Sequence, residues 1–368
     1  MNDWKELPLG NFLSFGNGKK RPDTEGLIPI YGGNGILGYT SNNNYDGETI
    51  VIGRVGAYCG SVYFENKPIW VSDNALSAKP KDKYNAKFLY YFLKFINLNQ
   101  YAGGSSHPLV TQTLLNSLEF ELCVDPDEQK AIASVLSSLD DKIDLLHRQN
   151  KTLEAMAETL FRQWFVEEAE DDWEETTLGN LGKIITGKTP STKNKEYWGN
   201  HIDFITPTDF KNYGKYTFSS ERGLSLVGKE KINNIILPKN SILVTCIGSD
   251  MGKVVITTKE GVTNQQINSI IINTNLISVE YVYQYLKSIY YLLRNIALGG
   301  TTMPIINKTD FSNIETPIPP NKPLKKYNMI TSEFNKKILY NTNQIQTLEK
   351  LRDTLLPKLM SGEIRVKY

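Results

Sequence analysis

The stretch Gly103-Gly-Ser-Ser-His-Pro-Leu-Val110 returns later in the same chain as Gly299-Gly-Thr-Thr-Met-Pro-Ile-Ile306, at an offset of 196 residues. In the same way Leu89-Tyr-Tyr-Phe-Leu93 returns as Val282-Tyr-Gln-Tyr-Leu286, at an offset of 193. Matches that keep their order at nearly constant offsets are the signature of an internal repeat. These two pairs therefore predict that the chain consists of two homologous halves.

The offset between the halves changes along the chain, and the change locates an insertion. The opening tryptophans, Trp4 and Trp173, are 169 residues apart, whereas Gly56 and Gly248 are 192 apart. About 23 extra residues therefore lie between Leu181 and Gly248 in the second half. We expect the two halves to share one fold and to differ mainly in this region.

Each half ends in a segment whose apolar residues alternate in steps of four and three, the pattern of a helix that pairs with another helix. At 1.5 Å per residue, a helix of about 36 to 40 residues would be roughly 55 to 60 Å long. The positions of this seam in the two segments are Leu136, Leu139, Ile143, Leu146, Asn150, Leu153 and Leu160, and Phe334, Ile338, Asn341, Ile345, Leu348, Leu355 and Leu359.

The charges of the two helical segments favour pairing with each other. Residues 126–172 carry 5 basic and 12 acidic side chains, whereas residues 319–368 carry 10 basic and 4 acidic. Opposite charge favours the mixed pair over either self-pair. If the helices run antiparallel, they hold the two globular halves at opposite ends, related by an approximate twofold axis. Asn150 and Asn341 either set the register of the pair or are simply solvated near a frayed seam.

The predicted fold is α/β, or more loosely α+β, with two similar globular domains separated by two long antiparallel coiled-coil helices. The predicted divisions are residues 1–125 for the first domain, 126–168 for the central helix, 169–318 for the second domain and 319–368 for the C-terminal helix. The simpler alternative is that each helix packs only on its own domain.

Composition excludes several classes of protein. The 368 residues are 40% hydrophobic and 22% charged, which is typical of globular chains. No run is long enough to span a membrane and the N-terminus does not resemble a signal peptide, so we expect a cytoplasmic protein. Three widely spaced cysteines offer neither a disulfide framework nor a metal knuckle. The net charge of only +1 argues at first sight against a nucleic-acid binder.

One motif suggests an enzyme: Gly182-Lys-Ile-Ile-Thr-Gly-Lys-Thr189 matches the phosphate-binding P-loop pattern. That loop must follow a buried strand and open a helix, yet Pro190 comes directly after it and the matching stretch Leu13–Lys20 lacks the first glycine. The sequence also lacks the elements of an amino-methyltransferase or a nuclease. We therefore predict no catalytic residue, no metal ligand and no cofactor in this chain.

Basic, hydroxyl and amide side chains instead cluster in loops at matching places in both halves. Lys, Ser and Thr suit phosphate contacts, whereas Asn, Gln and Arg can read base edges. For any single residue a solvated loop side chain is the simpler interpretation, so the prediction depends on the clustering. The candidate DNA-binding residues are Lys19, Lys20, Arg21, Asn34, Arg54, Tyr58, Ser105, Ser106, Lys188, Thr189, Ser191, Thr192, Lys193, Lys195, Tyr197, Lys211, Asn212, Gln265, Thr301 and Thr302.

The whole chain resembles the specificity subunits of type I restriction-modification systems. The resemblance rests on Trp173-x4-Leu-Gly179, on Thr186-Gly-Lys-Thr-Pro-Ser191 with Tyr197-Trp-Gly199, and on Ile205-Thr-Pro207. The closing Leu355-Leu-Pro-Lys-Leu-Met-Ser-Gly-Glu-Ile364 is also characteristic. By this resemblance the P-loop-like string is a loop of a target-recognition domain.

The resemblance implies a recognition subunit without catalysis. Each target-recognition domain would read one half of a bipartite, asymmetric sequence in double-stranded DNA, and the helices would fix the spacer and dock two methyltransferase subunits. Restriction subunits would join that core. S-adenosylmethionine would belong to the methyltransferase subunits, and ATP and magnesium to the restriction subunits.

Two alternatives remain open at this level. A nucleotide-dependent enzyme would use the Gly187-Lys-Thr189 loop to bind ATP. A dimeric scaffold protein would have the same architecture without any preference for a DNA sequence.

Overall fold

The computed structural model describes residues 3–81, 83–103, 108–170, 173–248, 251–298 and 305–366, apart from the side chains of residues 297 and 298. The chain forms two compact units. Unit 1 comprises Met1–His147 and Asn343–Tyr368, and unit 2 comprises Arg148–Thr342. Both boundaries fall inside a long helix, so each unit contains part of both helical segments. The four-part division drawn from the sequence stays a prediction.

Unit 1 contains three small sheets, with strand orders β1-β9, β2-β8-β5-β6 and β4-β3-β7. Its strands are β1 (Trp4–Pro8), β2 (Leu13–Asn17), β3 (Ile28–Gly32), β4 (Gly35–Thr40), β5 (Thr49–Gly53), β6 (Val62–Glu65), β7 (Trp70–Val71), β8 (Ala75–Pro80) and β9 (Glu119–Cys123). Its helices are α1 (Ala86–Phe95), α2 (Gln112–Ser117), the first part of α3 (Pro126–Arg162) and the last part of α9 (Asn321–Met360).

Unit 2 repeats this plan, with strand orders β10-β19, β11-β18-β15-β16-β13 and β14-β12-β17. Its strands are β10 (Glu174–Thr177), β11 (Gly182–Thr186), β12 (Trp198–Ile205), β13 (Tyr216–Thr217), β14 (Arg222–Leu224), β15 (Ile242–Thr245), β16 (Val254–Thr257), β17 (Gly261–Thr263), β18 (Ile267–Ile272) and β19 (Glu315–Ile318). Its helices are the last part of α3, α4 (Leu178–Leu181), α5 (Leu226–Lys231), α6 (Val279–Ser288), α7 (Tyr290–Leu298), α8 (Lys308–Ser312) and the first part of α9.

The internal duplication is confirmed down to single hydrogen bonds. In unit 1 the Val110 N–H donates to the Arg54 carbonyl at 3.0 Å, and in unit 2 the Ile306 N–H donates to the Cys246 carbonyl at 2.9 Å. These residues are the pairs that offsets of 192 and 196 predict. The extra residues of the second half form β13, α5 and the loops around them, between Leu181 and β15.

The equivalent glycines of the two halves have the same backbone conformation. Gly56 and Gly248 have φ angles of 76° and 87°, and Gly60, four residues after Gly56, has a φ of 82°. This left-handed region is strained for any side chain with a Cβ atom. The glycines recur because the turn after β5, and the matching turn after β15, both need this backbone conformation.

Most pairings in these sheets are antiparallel, with parallel pairings of β3 with β7, β12 with β17 and β13 with β16. Each unit is therefore α+β, and the α+β form of the prediction is the correct one. Strict α/β order fails because most strand pairs are antiparallel, whereas an α/β fold is built from parallel strands joined by crossover helices.

The long helices bury their seam residues in two ways. Near the start of α3 and the end of α9, Leu136 and Leu359 belong to the core of unit 1. Ile338 belongs to the core of unit 2. Because Leu359 packs with residues of the first half, the alternative that each helix packs only on its own domain is wrong for α9. Between them Ile143, Leu146, Ile345 and Leu348 form a cluster that contains helix residues alone.

Within each unit the two helical segments run in opposite directions. In unit 1, Asp140 forms an ion pair of 2.8 Å with Arg352. In unit 2, Asn150 accepts a hydrogen bond of 2.9 Å from Asn341. Nearer the end of α3, the Ala157 carbonyl accepts a hydrogen bond from the Tyr327 hydroxyl at 3.2 Å.

The helix bounds differ slightly from the expected ones. Helix α3 ends at Arg162 and continues as one π-helical turn, Gln163–Glu167. Helix α9 ends at Met360, so the predicted helical segment 319–368 extends too far. Gly362, with a φ of 73°, ends it and lies against the Trp4 ring. The left-handed glycine stops the helix because a continued helix needs a negative φ.

A buried ion pair attaches α6 to the rest of unit 2. Lys215 Nζ, which is fully buried, contacts Glu280 and donates a hydrogen bond of 2.6 Å to Asn335 Oδ1. Burial lowers the pKa of the Lys215 ammonium, and the Glu280 carboxylate opposes that effect. Burial also raises the pKa of Glu154, near the same pair. This charged cluster lies inside the fold, so we assign it a structural role.

Candidate nucleic-acid interface

In unit 1 the candidate residues converge on the β7–β8 turn, which we define as Ser72–Asn74. The Ser72 N–H donates to the Tyr31 carbonyl at 2.8 Å. The Arg54 N–H donates to the Asn74 carbonyl at 3.0 Å, and the Lys19 N–H donates to the Val71 carbonyl at 2.9 Å. The turn is therefore bonded to the loops that carry Lys19 and Arg54, which are far apart in the sequence.

Asn34 and Tyr58 join the same region through their neighbours. The Ser61 hydroxyl donates to the carbonyls of both Gly33 and Tyr58. The Tyr63 hydroxyl also reaches the Gly33 carbonyl, at 3.3 Å. Asn34 occupies the tight β3–β4 hairpin turn next to Gly33, and both Asn34 and Tyr58 are exposed. Two candidates that are 24 residues apart thus lie on adjoining turns.

The three consecutive basic residues, Lys19, Lys20 and Arg21, differ in their contacts. Lys19 and Lys20 are exposed. Arg21 is also exposed, but its guanidinium donates to the Leu37 carbonyl of β4, so part of its hydrogen-bonding capacity is used within the fold. Lys19 and Lys20 are therefore better placed than Arg21 to contact a phosphate.

Four candidates, Ser105, Ser106, Thr301 and Thr302, lie outside the described residues. The described chain on each side of the first pair, at Gly103 and Leu109, forms a two-way backbone bridge.

Unit 2 has an equivalent β17–β18 turn, Asn264–Gln266. The Asn264 N–H donates to the Ile205 carbonyl at 3.2 Å, and the Cys246 N–H donates to the Gln266 carbonyl at 2.8 Å. The Lys188 N–H donates to the Thr263 carbonyl at 2.9 Å, as the Lys19 N–H does to Val71. The turn thus occupies the same place in its unit as Ser72–Asn74 does in unit 1.

Side chains reinforce this second turn. The Thr189 hydroxyl donates to Gln265 Oε1 at 2.7 Å. The Asn264 amide donates to Gln266 Oε1 at 2.9 Å. Gln265 is exposed and Gln266 is half-buried. The structure therefore brings Lys188, Thr189 and Gln265 together, and their contact with DNA stays a prediction.

The next loop extends this surface. Ser191, Thr192, Lys193 and Lys195 are all exposed, and Tyr197 is half-buried. The loop is anchored by Trp198, whose indole N–H points at the Ser191 carbonyl at 3.4 Å. The Arg222 guanidinium lies 3.8 Å from the centre of the Trp198 ring.

Lys211 and Asn212 stand apart from the bonds just described. They end a short turn that the buried Asp209 carboxylate fixes, by accepting from the Thr206 N–H and hydroxyl at 2.8 Å each. Both side chains are exposed. Ile205, at the end of the strand that precedes this short turn, accepts a hydrogen bond from the Asn264 N–H of the β17–β18 turn. The prediction that they face the same ligand is not supported by a direct bond among the described residues.

The P-loop-like string does not have the strand-to-helix conformation of a nucleotide-binding loop. Gly182–Thr186 is strand β11, which pairs with β18, and Gly187–Ser191 continues as irregular chain without a helix. Gly187 donates to the Ile267 carbonyl at 3.2 Å, and a Cβ atom there would meet backbone. The glycine is explained by close packing against the β17–β18 turn, and no helix N-terminus faces a phosphate.

One acidic cluster among the described residues, Asp3, Asp125 and Glu128, has the spacing of a metal site. Arg365 contacts it, with its guanidinium 2.6 Å from Glu128 Oε2 and 3.4 Å from Asp3 Oδ2. A guanidinium therefore already balances this charge, and the cluster ties the chain after α9 to unit 1.

Asp73 and Asn74 are exposed and were missed from the sequence. They are the structural equivalents of Gln265 and Gln266, at the offset of 192 that also relates Gly56 to Gly248. Applying that offset to the glutamines would have identified them. The match was hidden because the side chains differ while the backbone is the same.

Comparison with known proteins agrees with this arrangement. The model of the type I restriction modification DNA specificity domain matches residues 1–155 and again 170–350. The HindI specificity subunit of Haemophilus influenzae is 30% identical over 335 residues, covering 71% of this chain and 72% of that protein. The MjaIX specificity subunit of Methanocaldococcus jannaschii is 26% identical, covering 84% of this chain and 76% of that protein.

A solved structure shows the same fold. The S subunit of a type I restriction-modification system from M. genitalium matches with a TM-score of 0.68 over 97% of this chain and 96% of its own, at 18% identity. Among the described residues, no helix is long and apolar enough to cross a membrane. With two matching domains, a duplicated fold and relatives along most of its length, the chain belongs to the family of type I restriction-modification DNA specificity subunits.

Proposed function

We propose that this chain is the non-catalytic recognition subunit of a type I restriction-modification complex, and that each unit reads one half of a bipartite, asymmetric site in double-stranded DNA. The observation that carries the proposal is the duplicated turn, Ser72–Asn74 and Asn264–Gln266, on which the candidate loops of each unit converge. Two similar readers with different side chains suit a target whose two halves differ in sequence.

The helices are the proposed spacer. The seam of α3 and α9 would hold the two readers at a fixed separation, as a two-stranded antiparallel coiled coil. Four residues inserted after His147 in α3, together with four after Thr342 in α9, would add about 6 Å at 1.5 Å per residue. We expect such a variant to select a spacer longer by about two base-pair steps of 3.4 Å. An unchanged spacer with weaker binding would contradict this part of the proposal.

The charge distribution suggests that the chain does not bind DNA alone. Residues 1–125 have a net charge of −1 and residues 173–318 have +3, so the globular halves carry little positive charge. Affinity for DNA depends strongly on the number of phosphates that basic side chains neutralise. We therefore propose that two methyltransferase subunits dock on the helices and close around the DNA, and that restriction subunits join this core in the cytoplasm.

The chemistry of the complex would then belong to the partners. S-adenosylmethionine would bind to the methyltransferase subunits, and ATP and magnesium to the restriction subunits. The irregular chain after β11 supports this division, because it lacks the strand-to-helix loop that binds a nucleotide phosphate.

A binding-site selection from random duplex DNA, made with the full chain assembled with its methyltransferase, tests the proposal. We expect one bipartite sequence with two different halves at a fixed spacing. A scaffold without DNA specificity would recover no preferred sequence, and that result would overturn the proposal. ATP binding by the purified chain that is lost on Lys188→Ala would instead support a nucleotide-dependent enzyme.

A further inference from the structure

The turns after β7 and β17 have the same backbone contacts but different side chains. In each unit the strand before the turn accepts from a lysine N–H, Lys19 or Lys188, and the last turn carbonyl accepts from the residue after β5 or its counterpart. The residues at the three positions are Ser72, Asp73 and Asn74 in unit 1 and Asn264, Gln265 and Gln266 in unit 2.

These bonds hold the turns rigidly. Asn74 is fixed through its carbonyl by the Arg54 N–H, and that residue's own carbonyl accepts from Val110 at 3.0 Å. Gln265 is held through its side chain by Thr189 at 2.7 Å. A side chain presented from a fixed backbone can discriminate between ligands better than one on a freely moving loop.

Buried polar atoms beside each turn have no hydrogen-bond partner among the described residues. They are Arg54 Nε and Ser72 Oγ in unit 1 and Thr263 Oγ1 in unit 2. Such groups are uncommon in native folds, and each asks for an explanation such as a water, an ion or a ligand. Ser72 belongs to the unit 1 turn and Arg54 is bonded to it, while Thr263 directly precedes the unit 2 turn.

We propose that these turns are the specificity-determining elements, with Asp73 and Asn74 reading bases in one half-site and Gln265 and Gln266 reading bases in the other. This inference rests on the proposed function. The amides of Asn and Gln pair with the N6 and N7 edge of adenine, and a carboxylate accepts from the N4 amino group of cytosine. One scaffold with two sets of side chains thus gives two different half-sites.

The test is a binding-site selection with the assembled methyltransferase complex, using the single variants Asn74→Ala and Gln265→Ala. We expect each variant to relax the base preference at one or two positions of a single half-site, with discrimination falling about tenfold or more. The two variants should affect opposite halves.

Matched control variants are available in each unit. Asn116→Ala removes an exposed amide of α2, whose side chain bonds only to its own helix at Gln112 among the described residues. Asn275→Ala removes an exposed amide in the loop after β18, at the end of that strand away from the turn. Neither control should change the selected sequence, and all four variants should keep the wild-type unfolding temperature.

The outcomes separate this inference from the proposed function. If wild type selects a bipartite site and Asn74→Ala and Gln265→Ala select the same one, the turns are not readers and the inference is overturned. A uniform loss of affinity without altered preference also overturns it, because it indicates a phosphate or scaffold role. If the wild-type complex selects no bipartite sequence, the proposed function itself fails. The double variant Asp73→Gln with Asn74→Gln should change the first half-site alone.

Discussion

Asn341 and Asn150 form a hydrogen bond of 2.9 Å between the two helical segments of unit 2, and Asn341 is completely buried. The Asn341 amide also reaches Gln149 Oε1 at 3.3 Å, and the Asn150 amide donates to the Thr342 hydroxyl at 3.2 Å. A frayed, solvated seam is therefore excluded at this position. Buried amides within an apolar seam fix the register of a helix pair, at some cost in stability.

Replacing the buried Asn341 amide tests whether this residue sets the register of the helix pair or mainly contributes to its stability. We expect Asn341→Leu to leave the free energy of unfolding within about 1.5 kcal/mol of wild type but to permit other registers or assemblies. Asn341→Asp, which has the same shape, should destabilise the protein by about 3 kcal/mol, because it places an uncompensated charge in a buried site. Denaturant unfolding and light scattering measure both effects. Equal stability of the two variants would contradict the burial on which this argument rests.

The buried ion pair of unit 2 gives a second prediction. Lys215→Met leaves the Glu280 carboxylate without its cationic partner, and breaking a buried ion pair from one side costs about 3 to 5 kcal/mol. The control is Lys229→Met, because Lys229 pairs with Glu260 at the surface, where such pairs contribute less than about 1 kcal/mol. Denaturant unfolding of both variants compares them directly. Similar losses would show that the Lys215 pair is effectively solvated.

Lys188 tests the assignment of the P-loop-like string. We expect Lys188→Ala to weaken DNA binding by the complex about equally for all sequences, and to reduce the slope of log affinity against log salt by about 1. Lys183→Ala is the control, because Lys183 is exposed on strand β11, before the irregular chain that carries Lys188. Titration of the complex with DNA at several salt concentrations measures the slope. A base-specific effect of Lys188→Ala would contradict a phosphate contact.

The three cysteines should be unreactive in the native protein. Burial raises the pKa of Cys246 to about 11 and that of Cys123 to about 12, and it also raises the pKa of Cys59. The reactive thiolate is therefore scarce at pH 8, and stability from the protonated thiols should be lost only as the pH rises through these values. A thiol reagent at pH 8 should label all three cysteines more slowly in the native chain than in the unfolded one, and Cys123 and Cys246 at least about 100-fold more slowly. Rapid native labelling of any one cysteine would disprove this.

Much of the fold could be predicted from the sequence because the repeat leaves the same marks twice. Gly56 and Gly248 recur because only a residue without a Cβ adopts their backbone conformation easily, and the seam follows from the helical period. Asn150 and Asn341 could be placed on the seam, but their burial could not be decided without knowing what packs around them.

The features that could not be predicted depend on tertiary contacts, which leave no local pattern in the sequence. Nothing around Lys215 in the sequence indicates burial, because its partners Glu280 and Asn335 come from distant helices. Asp73 and Asn74 look like an ordinary polar turn until the backbone bonds to Arg54 and Tyr31 are seen. In unit 2 the sequence did single out Gln265 and Lys188 as candidates, because amide and basic side chains suit base and phosphate contacts.

The central claim is that each half of the chain reads its own half of one DNA site. The most direct measurement exchanges residues 173–318 for the same region of another specificity subunit and repeats the binding-site selection with the methyltransferase present. We expect one half-site to change to the donor's sequence, while the other half-site and the spacer length stay as in wild type. A change in both half-sites, or in neither, would contradict it.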